Sequence, residues 1–341
     1  MADGTHIEWT DATWNPITGC SIVSPGCTNC YAMKLAGTRL KHTDSRKGLT
    51  MPSKSGPVWN GKVRLNEEWL LQPLEWKRPR MIFVCAHGDL FAENVPDEWI
   101  DKVFAVMALA PQHTFQILTK RAERMRDYLR YRFCRILDAM ATMTATVNLP
   151  DWPLPNVWLG VSTEDQKRAD ERIPFLLDTP ASVRWISAEP LLGPINLAEY
   201  LQLVIHKPGS VGKSTEIHLQ IIRHALDWIV VGGESGPGAR PMHPTWVRSI
   251  RDQCAAAGVP FFFKQWGNWI SVLDRDNDDP DWRADYSGRF NNRHDNVRWL
   301  NLEGGSGFHG ERLHVMNRVT KQAAGRLLDD RYHDAYPETR S

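Results

Sequence analysis

Between about residues 80 and 265 the chain alternates short apolar runs with amphipathic stretches. The runs are Met81–Cys85, Phe115–Leu118, Val157–Val161, Val183–Ser187, Trp228–Val231 and Val259–Phe263. Each is nearly continuous in apolar residues, the pattern of a strand buried on both faces by a coat of helices. Between them, Asp97–Leu109 carries Ile100, Val103, Phe104 and Met107 on one stripe. Pro96, Asp97 and Glu98 open it, where a fixed φ and negative charge suit the helix dipole. Pro244–Ala257 carries Val247, Ile250, Cys254 and Ala257 on another stripe, with His243 before it and Gly258 as its C′ glycine. Tyr31–Leu40 is a third helix. With a first strand around Ala12–Pro16 this makes about seven βα steps. The expected class is α/β: a partial or near-complete parallel (β/α) barrel of about six or seven units, with its chemistry at the strand ends.

Two stretches break the rhythm, Ala139–Pro155 and Leu203–Glu216, and read as loops or insertions. The charged, Asp- and Asn-rich segment Asp274–Asp295 reads as a surface loop or mobile connection. A last helix is expected over Arg318–Asp329. The division is therefore a barrel with its N-terminal cysteine loop over 1–267 and a C-terminal extension of loop and packing helix over 268–341. Balanced charge, Lys+Arg 41 against Asp+Glu 40, gives no global pull toward nucleic acid or membrane. With no membrane-length apolar run and no secretory leader, a reducing cytoplasm is expected. There, clustered cysteines are metal ligands rather than disulfides. The 15 Trp residues are numerous enough that some rings are expected to line a pocket.

Three of the 6 cysteines stand in G-C-S-I-V-S-P-G-C-T-N-C-Y as Cys20, Cys27 and Cys30. Gly19, Pro25 and Gly26 let that segment turn back so the thiols converge. A structural zinc site would need a fourth donor, for which His6 and His42 are the near candidates. Without one, three thiolates leave a metal coordination position open. Cys254 and Cys134 read as small buried hydrophobes. Cys85, at a strand end, is a candidate hydrogen-atom donor or redox partner. The arginines from Lys120-Arg121 to Arg135 include Glu123 and Asp127 among them and read as a solvated helix face rather than a phosphate-binding surface.

The segments W-T-D-A-T-W-N-P-I-T-G-C-S-I-V-S-P-G-C-T-N-C-Y-A, H-G-D-L-F, I-L-T-K-R, G-V-S-T-E-D, S-A-E-P-L-L-G, V-G-G-E-S-G-P-G-A-R-P and F-F-K-Q-W-G span residues 9 to 267. Together with R-V-T-K-Q-A-A-G-R-L-L-D near the C-terminus, they resemble the radical S-adenosylmethionine superfamily, in its phage-associated branch of uncharacterised three-cysteine-motif proteins. The resemblance implies a four-iron, four-sulfur cluster on Cys20, Cys27 and Cys30. It implies S-adenosylmethionine on the unique iron, an electron donor such as flavodoxin or ferredoxin, and a 5′-deoxyadenosyl radical that takes a hydrogen atom from substrate. The substrate class it favours is a nucleic acid, nucleotide or small peptide. The chain departs from the superfamily's common C-x3-C-x2-C spacing, having six residues in the first gap and Asn29 where an aromatic is usual. Extra loop residues cost little closure entropy.

By the same resemblance, Asp89 of His87-Gly88-Asp89 is placed to meet the methionine ammonium; its ordinary role would be to start a helix or turn. Gly232 and Gly233 would let backbone approach adenine or ribose, while Glu234 either touches ligand or orients Arg240. Thr119-Lys120-Arg121, Ser162, Ser187 and Glu189 stand at strand ends, with Ser187 and Glu189 favoured as cofactor contacts over helix caps. Lys264, Gln265 and Trp266 end the last strand and could reach substrate. A cluster retained only for structure, and a zinc-stabilised binding module, are the alternatives to radical chemistry.

Overall fold

The expected first strand and all six apolar runs form strands: β1 (Ala12–Trp14), β2 (Met81–Val84), β3 (Thr114–Thr119), β4 (Val157–Ser162), β5 (Val183–Ala188), β6 (Trp228–Gly232) and β7 (Phe261–Gln265). The computed structural model describes residues 5, 7–201, 205–206, 221–222, 225–275, 296–306 and 313–338. The strands pair in chain order, every neighbour parallel, as one seven-stranded sheet that curls into a half-barrel. Every residue of β4 and β5 is buried.

The residues of one sheet face, among them Ile82, Ile117, Leu159, Ile186, Ile229 and Phe263, join the main core with the helices. Those helices include α2 (Asp97–Leu109), α3 (Ala122–Tyr131), α4 (Phe133–Met143), α5 (Gln166–Leu177) and α6 (Pro244–Ala257), while α1 (Tyr31–Gly37) follows the cysteines. The bounds of α2 and α6 are those expected, and Gly258 at φ +68° ends α6. Helix α1 ends at Gly37, short of Leu40. Part of the stretch expected to be loose, Ala139–Met143, is the last turn and a half of α4.

The concave face explains the tryptophans. Phe83, Trp158, Trp185, Trp228 and Phe262 alternate with the outward residues and meet Trp9 in a second core. Trp9 lies edge-on to Phe83 at 4.8 Å and to Trp185 at 5.3 Å, and Trp185 lies 5.3 Å from Trp228. These rings fill the base of the half-barrel rather than line an opening; offset and edge-on geometries add about 0.5–1.5 kcal/mol per pair beyond burial. Above them the same face turns small and polar: Ser162 and Ser187 are register partners, followed by Glu189 and Lys264.

The C-terminal tail guards the free side of β7. The Phe263 N–H donates to the His333 carbonyl, and the Trp228 indole donates to the Ala335 carbonyl at 2.8 Å. This covers an edge that would otherwise present unpaired backbone.

The extension is built otherwise than expected. It is a three-stranded antiparallel sheet of β8 (Trp269–Arg275), β9 (Val297–Leu300) and β10 (Leu313–Arg318), ordered β8-β10-β9. The predicted helix over Arg318–Asp329 is only Lys321–Ala324, capped by the Thr320 hydroxyl and stopped at Gly325, whose φ is +69°. Leu313 and Val315 pack in a small cluster of their own while Met316 joins the main core, so β10 is buried on both faces. Of the segment expected as a charged loop, residues 276–295 lie outside the described residues, as does most of Leu203–Glu216. Among the described residues no helix is long and apolar enough to cross a membrane.

Candidate functional site

The cysteine segment lies across the C-terminal ends of the strands, and the loops after β2, β3, β4 and β6 each hold it. After β2, the His87 carbonyl accepts from the Gly19 N–H at 3.2 Å and the Ala86 carbonyl accepts from the Tyr31 hydroxyl at 2.6 Å. After β4, Glu164 accepts from the Gly26 N–H at 3.3 Å while itself paired with Arg172 at 2.9 Å. After β6, Glu234 accepts from the Asn29 amide, which also donates to the Gly238 carbonyl, both at 2.9 Å. Arg240 donates to Glu234 and to the Pro25 carbonyl, and Lys34 to Asn29 and the Pro237 carbonyl.

The loop after β3 supplies Arg121, which reaches the sulfur itself. Its guanidinium donates to Cys20 Sγ at 3.4 Å, to Asp89 Oδ2 at 3.1 Å, to Glu93 Oε1 at 3.0 Å and to the Ser21 carbonyl at 3.1 Å. Only 6% of the Arg121 side chain is exposed. Burial alone would loosen its proton, but Asp89, Glu93 and Cys20 outweigh it and hold the proton more firmly. Burial would likewise raise Glu93, yet its bonds from Arg121 and Ser21 bring it down to about 2. The reading of this stretch as a solvated face is thus wrong for Arg121. Further along, Arg124, Arg130, Arg132 and Arg135 pair with Asp97, Asp178, Asp101 and Asp138, which accounts for their charge without phosphate.

All three thiols are free of disulfides; Cys27 is buried and the other two half-buried. Cys20 is pushed up to about 12 by burial first and the Asp89 charge next; Arg121 pulls the other way, and Cys27 and Cys30 add to the rise. The three sulfurs therefore share one electrostatic neighbourhood. Among the described residues no three His, Cys, Asp or Glu side chains converge as they would around a single metal ion. Zinc needs four donors on one atom. His42 is exposed and His6 lies outside the described residues. A cluster spreads its thiolates over separate irons, so its ligands stand further apart than those of one ion.

The profile of a family described as "Protein of unknown function (DUF5131)" matches residues 4–337. The chain belongs to that family. No curated protein and no solved structure matches it.

The remaining candidate residues divide by what occupies them. Both Asp89 oxygens are filled by protein donors: Thr119 Oγ1 at 2.7 Å, the N–H groups of Phe91 and Lys120, and Arg121. Its place is to fix Arg121 and the turn, so the expected ammonium contact finds no vacant oxygen. Glu234 takes four bonds from Arg240 and Asn29, the orienting role of the two foreseen. Gly233 is glycine because a Cβ there would lie 2.0 Å from the Trp266 carbonyl oxygen, and a Cβ on Gly232 would press the Glu189 carboxylate at 3.2 Å. The close approach these glycines permit is to the chain itself.

Ser162, Ser187 and Glu189 share the upper concave face beneath the cysteine segment. Glu189 pairs with Lys264 at 2.9 Å and accepts from Gln265 at 3.2 Å, and its charge, after burial and Cys30, raises Tyr31 above its ordinary range. Near this rim, Gln265 Oε1, Thr163 Oγ1 and His87 Nδ1 are buried without a partner among the described residues. Such orphans are costly unless a ligand or water meets them. Cys85 sits just past β2 in the left-handed region at φ +57°, an uncommon conformation for a residue with a Cβ. Burial pushes its thiol up to about 12, so it stays protonated at neutral pH. Cys254 is buried as expected, but Cys134 is exposed on α4.

Sequence reasoning missed Arg121 as a sulfur partner, and Asn29, Glu164 and Tyr31 as fasteners. The signal for Asn29 was its place between two cysteines. Arg121 carried only its place at a strand end, because the sulfur it reaches lies 101 positions away.

Proposed function

We propose that the chain is a radical S-adenosylmethionine enzyme of the cytoplasm, reduced by a flavodoxin- or ferredoxin-type donor. Cys20, Cys27 and Cys30 would hold a four-iron, four-sulfur cluster. Such a cluster, once reduced, would supply the electron that converts S-adenosylmethionine to methionine and a 5′-deoxyadenosyl radical. The observation that carries the reading is the fastening of a three-thiol segment, with no fourth donor among the described residues, across the mouth of a parallel half-barrel.

The chain's own residues have definite tasks in this account. Arg121 donates to Cys20 Sγ and favours its thiolate against burial. Glu234, Arg240 and Glu164 keep the segment from swinging away from the mouth. Ser162, Ser187, Glu189 and Gln265 offer hydroxyl, carboxylate and amide groups to a polar ligand on the concave face, while the tryptophan floor excludes water from below. Cys85, kept as a thiol by burial, is the candidate donor of a hydrogen atom back to a substrate radical.

Anaerobic reconstitution should give a brown protein with about four irons per chain, and Cys→Ala at 20, 27 or 30 should abolish it. A colourless protein carrying one zinc, unaffected by iron and sulfide, would overturn the proposal.

A further inference from the structure

Residues 38–65, between α1 and β2, form a small lobe beside the cysteine segment, and its charge is one-sided. The lobe holds 7 of the chain's 41 Lys and Arg but 1 of its 40 Asp and Glu, which leaves 34 against 39 everywhere else. The near-zero net charge of the whole chain hides this separation. Five of the seven cations, Arg39, Lys41, Lys47, Lys54 and Lys62, are exposed, and their side chains make no hydrogen bond or ion pair among the described residues. The one acid, Asp44, pairs with none of them. The arginines of α3 and α4 differ in this respect, since Arg126, Arg130 and Arg135 each face an acid. The lobe's positive charge is therefore uncompensated at contact range, which leaves it free to act on a partner.

The lobe is also fixed to the site. Its last residues, Arg64–Leu65, pair antiparallel with Ile17–Thr18, just before Cys20. Thr50–Ser53 and Gly56–Trp59 form a hairpin that carries Lys54 in its turn. Arg64 donates to the Lys47 carbonyl at 2.9 Å and braces that loop. Leu49 and Trp59 pack with Met33 of α1 in a core against which Cys20 and Cys30 also lie. A Cβ on Gly19 would stand 2.2 Å from the Lys62 carbonyl oxygen, so the two backbones are in contact. One side of the lobe thus touches the thiol segment, and the exposed side is a basic rim next to the mouth.

The chemistry of that rim selects its partner. Protein–protein interfaces are depleted in Lys and built around apolar and aromatic anchors. The lobe exposes four lysines, and Met51 is its one exposed large apolar residue. Phosphate backbones are met instead by Lys and Arg, by hydroxyl and amide side chains and by backbone N–H groups. Thr43, Ser53 and Ser55 stand exposed among the cations. Gly48 and Gly56, at φ +78° and +111°, have open space where a Cβ would be, so the backbone can be approached there.

We propose that this lobe binds the sugar–phosphate backbone of a nucleic acid and holds it along the rim of the cysteine-covered mouth. Calling that nucleic acid the substrate rests on the radical reading; the binding itself does not, and is measured on metal-free full-length protein.

The test is fluorescence anisotropy with one labelled oligonucleotide sequence, as single-stranded DNA, as RNA and as duplex. Raising salt from about 50 to about 200 mM should weaken the single strand about 100-fold, the counterion release of about five phosphate contacts. Arg39→Gln, Lys41→Gln, Lys47→Gln and Lys54→Gln made together should bind at least about tenfold more weakly and flatten the log–log salt slope by about 3. Arg135→Gln with Lys167→Gln, at exposed positions of α4 and α5, should change neither. Lys54→Gln alone should flatten the slope by about 0.7, and serves if the quadruple variant does not fold. Amide exchange should slow over residues 38–65 when the strand binds. A preference for RNA, DNA or duplex would name the natural form. Equal binding of polyglutamate would make the rim a dock for an acidic protein, and capture by phosphatidylserine vesicles at the same salt a membrane contact; either overturns the inference. So would binding without salt dependence, an unchanged slope in the quadruple variant, or an equal loss in the α4–α5 control. Iron-loaded protein that binds no strand would sink this surface and leave the radical reading standing. Metal-free protein that binds the strand yet never takes up iron would do the reverse.

Discussion

Replacing Arg121 by Leu removes one buried cation and leaves its partners behind. Asp89, with 7% of its side chain exposed, would keep Thr119, Phe91 and Lys120 as donors but lose the compensating charge. Breaking a buried pair by deleting one member costs about 3–5 kcal/mol. Glu93 is 53% exposed and can turn to water, so its share is small. The three surviving donors to Asp89 set the expectation at the low end, about 3 kcal/mol. Urea unfolding of the metal-free protein reads this directly, and an Asp89→Asn, Arg121→Leu double-mutant cycle isolates the pair, with an expected coupling of about 1–3 kcal/mol. The same variant tests the sulfur contact. Arg121 is the group pulling Cys20 down against burial and Asp89, so its loss makes the thiol harder to ionise. Metal binding needs thiolate and releases the proton. Iron loading of Arg121→Leu should therefore shift to higher pH, and Arg121→Lys should restore part of it. A variant within about 0.5 kcal/mol of the parent, the range of ordinary surface changes, and with an unmoved loading profile, would refute the reasoning.

Gly160→Ala would set a Cβ 2.4 Å from the Trp185 ring, so thermal unfolding should show a loss of at least about 1–3 kcal/mol from overpacking; an unchanged melting temperature would contradict the packed concave floor. Glu234→Gln should free the cysteine segment without unfolding the barrel, seen as faster amide exchange confined to residues 26–31 and lower iron retention, since hydrogen bonds to charged groups contribute about 1.5–3 kcal/mol. His87 is lowered from 6.5 to about 4 by burial first and the Arg46 charge second, so the fold favours its neutral ring. The associated stability is complete above pH 6.5 and is lost as pH falls toward 4, on the order of 3 kcal/mol. In His87→Asn that slope should flatten; an identical acid limb in both proteins would show that His87 does not carry it.

The sheet was legible in the sequence because a strand buried on both faces is written locally, as in Val157–Ser162 and Val183–Ala188. Helices α2 and α6 were legible to the residue because Pro96, His243-Pro244 and Gly258 punctuate them. The C-terminal sheet escaped notice because its strands are separated by polar stretches, and a tail rich in Lys, Gln and Ala was read as helix although Gly325 stops it after Ala324. The cysteines declared themselves by spacing, and their fasteners did not. Asn29 meets Glu234 across 205 positions and Gly26 meets Glu164 across 138, pairings that only the strand order brings together. The glycines at 232 and 233 misled for the opposite reason: a glycine-rich turn looks the same in sequence whether ligand or protein backbone approaches it.

The central claim is that three thiolates leave one metal position open to S-adenosylmethionine. Iron-loaded protein, reduced anaerobically with S-adenosylmethionine, should release 5′-deoxyadenosine, measured by mass spectrometry, and Cys30→Ala should release none. A reduced protein that carries its full cluster and yields no 5′-deoxyadenosine would contradict the account.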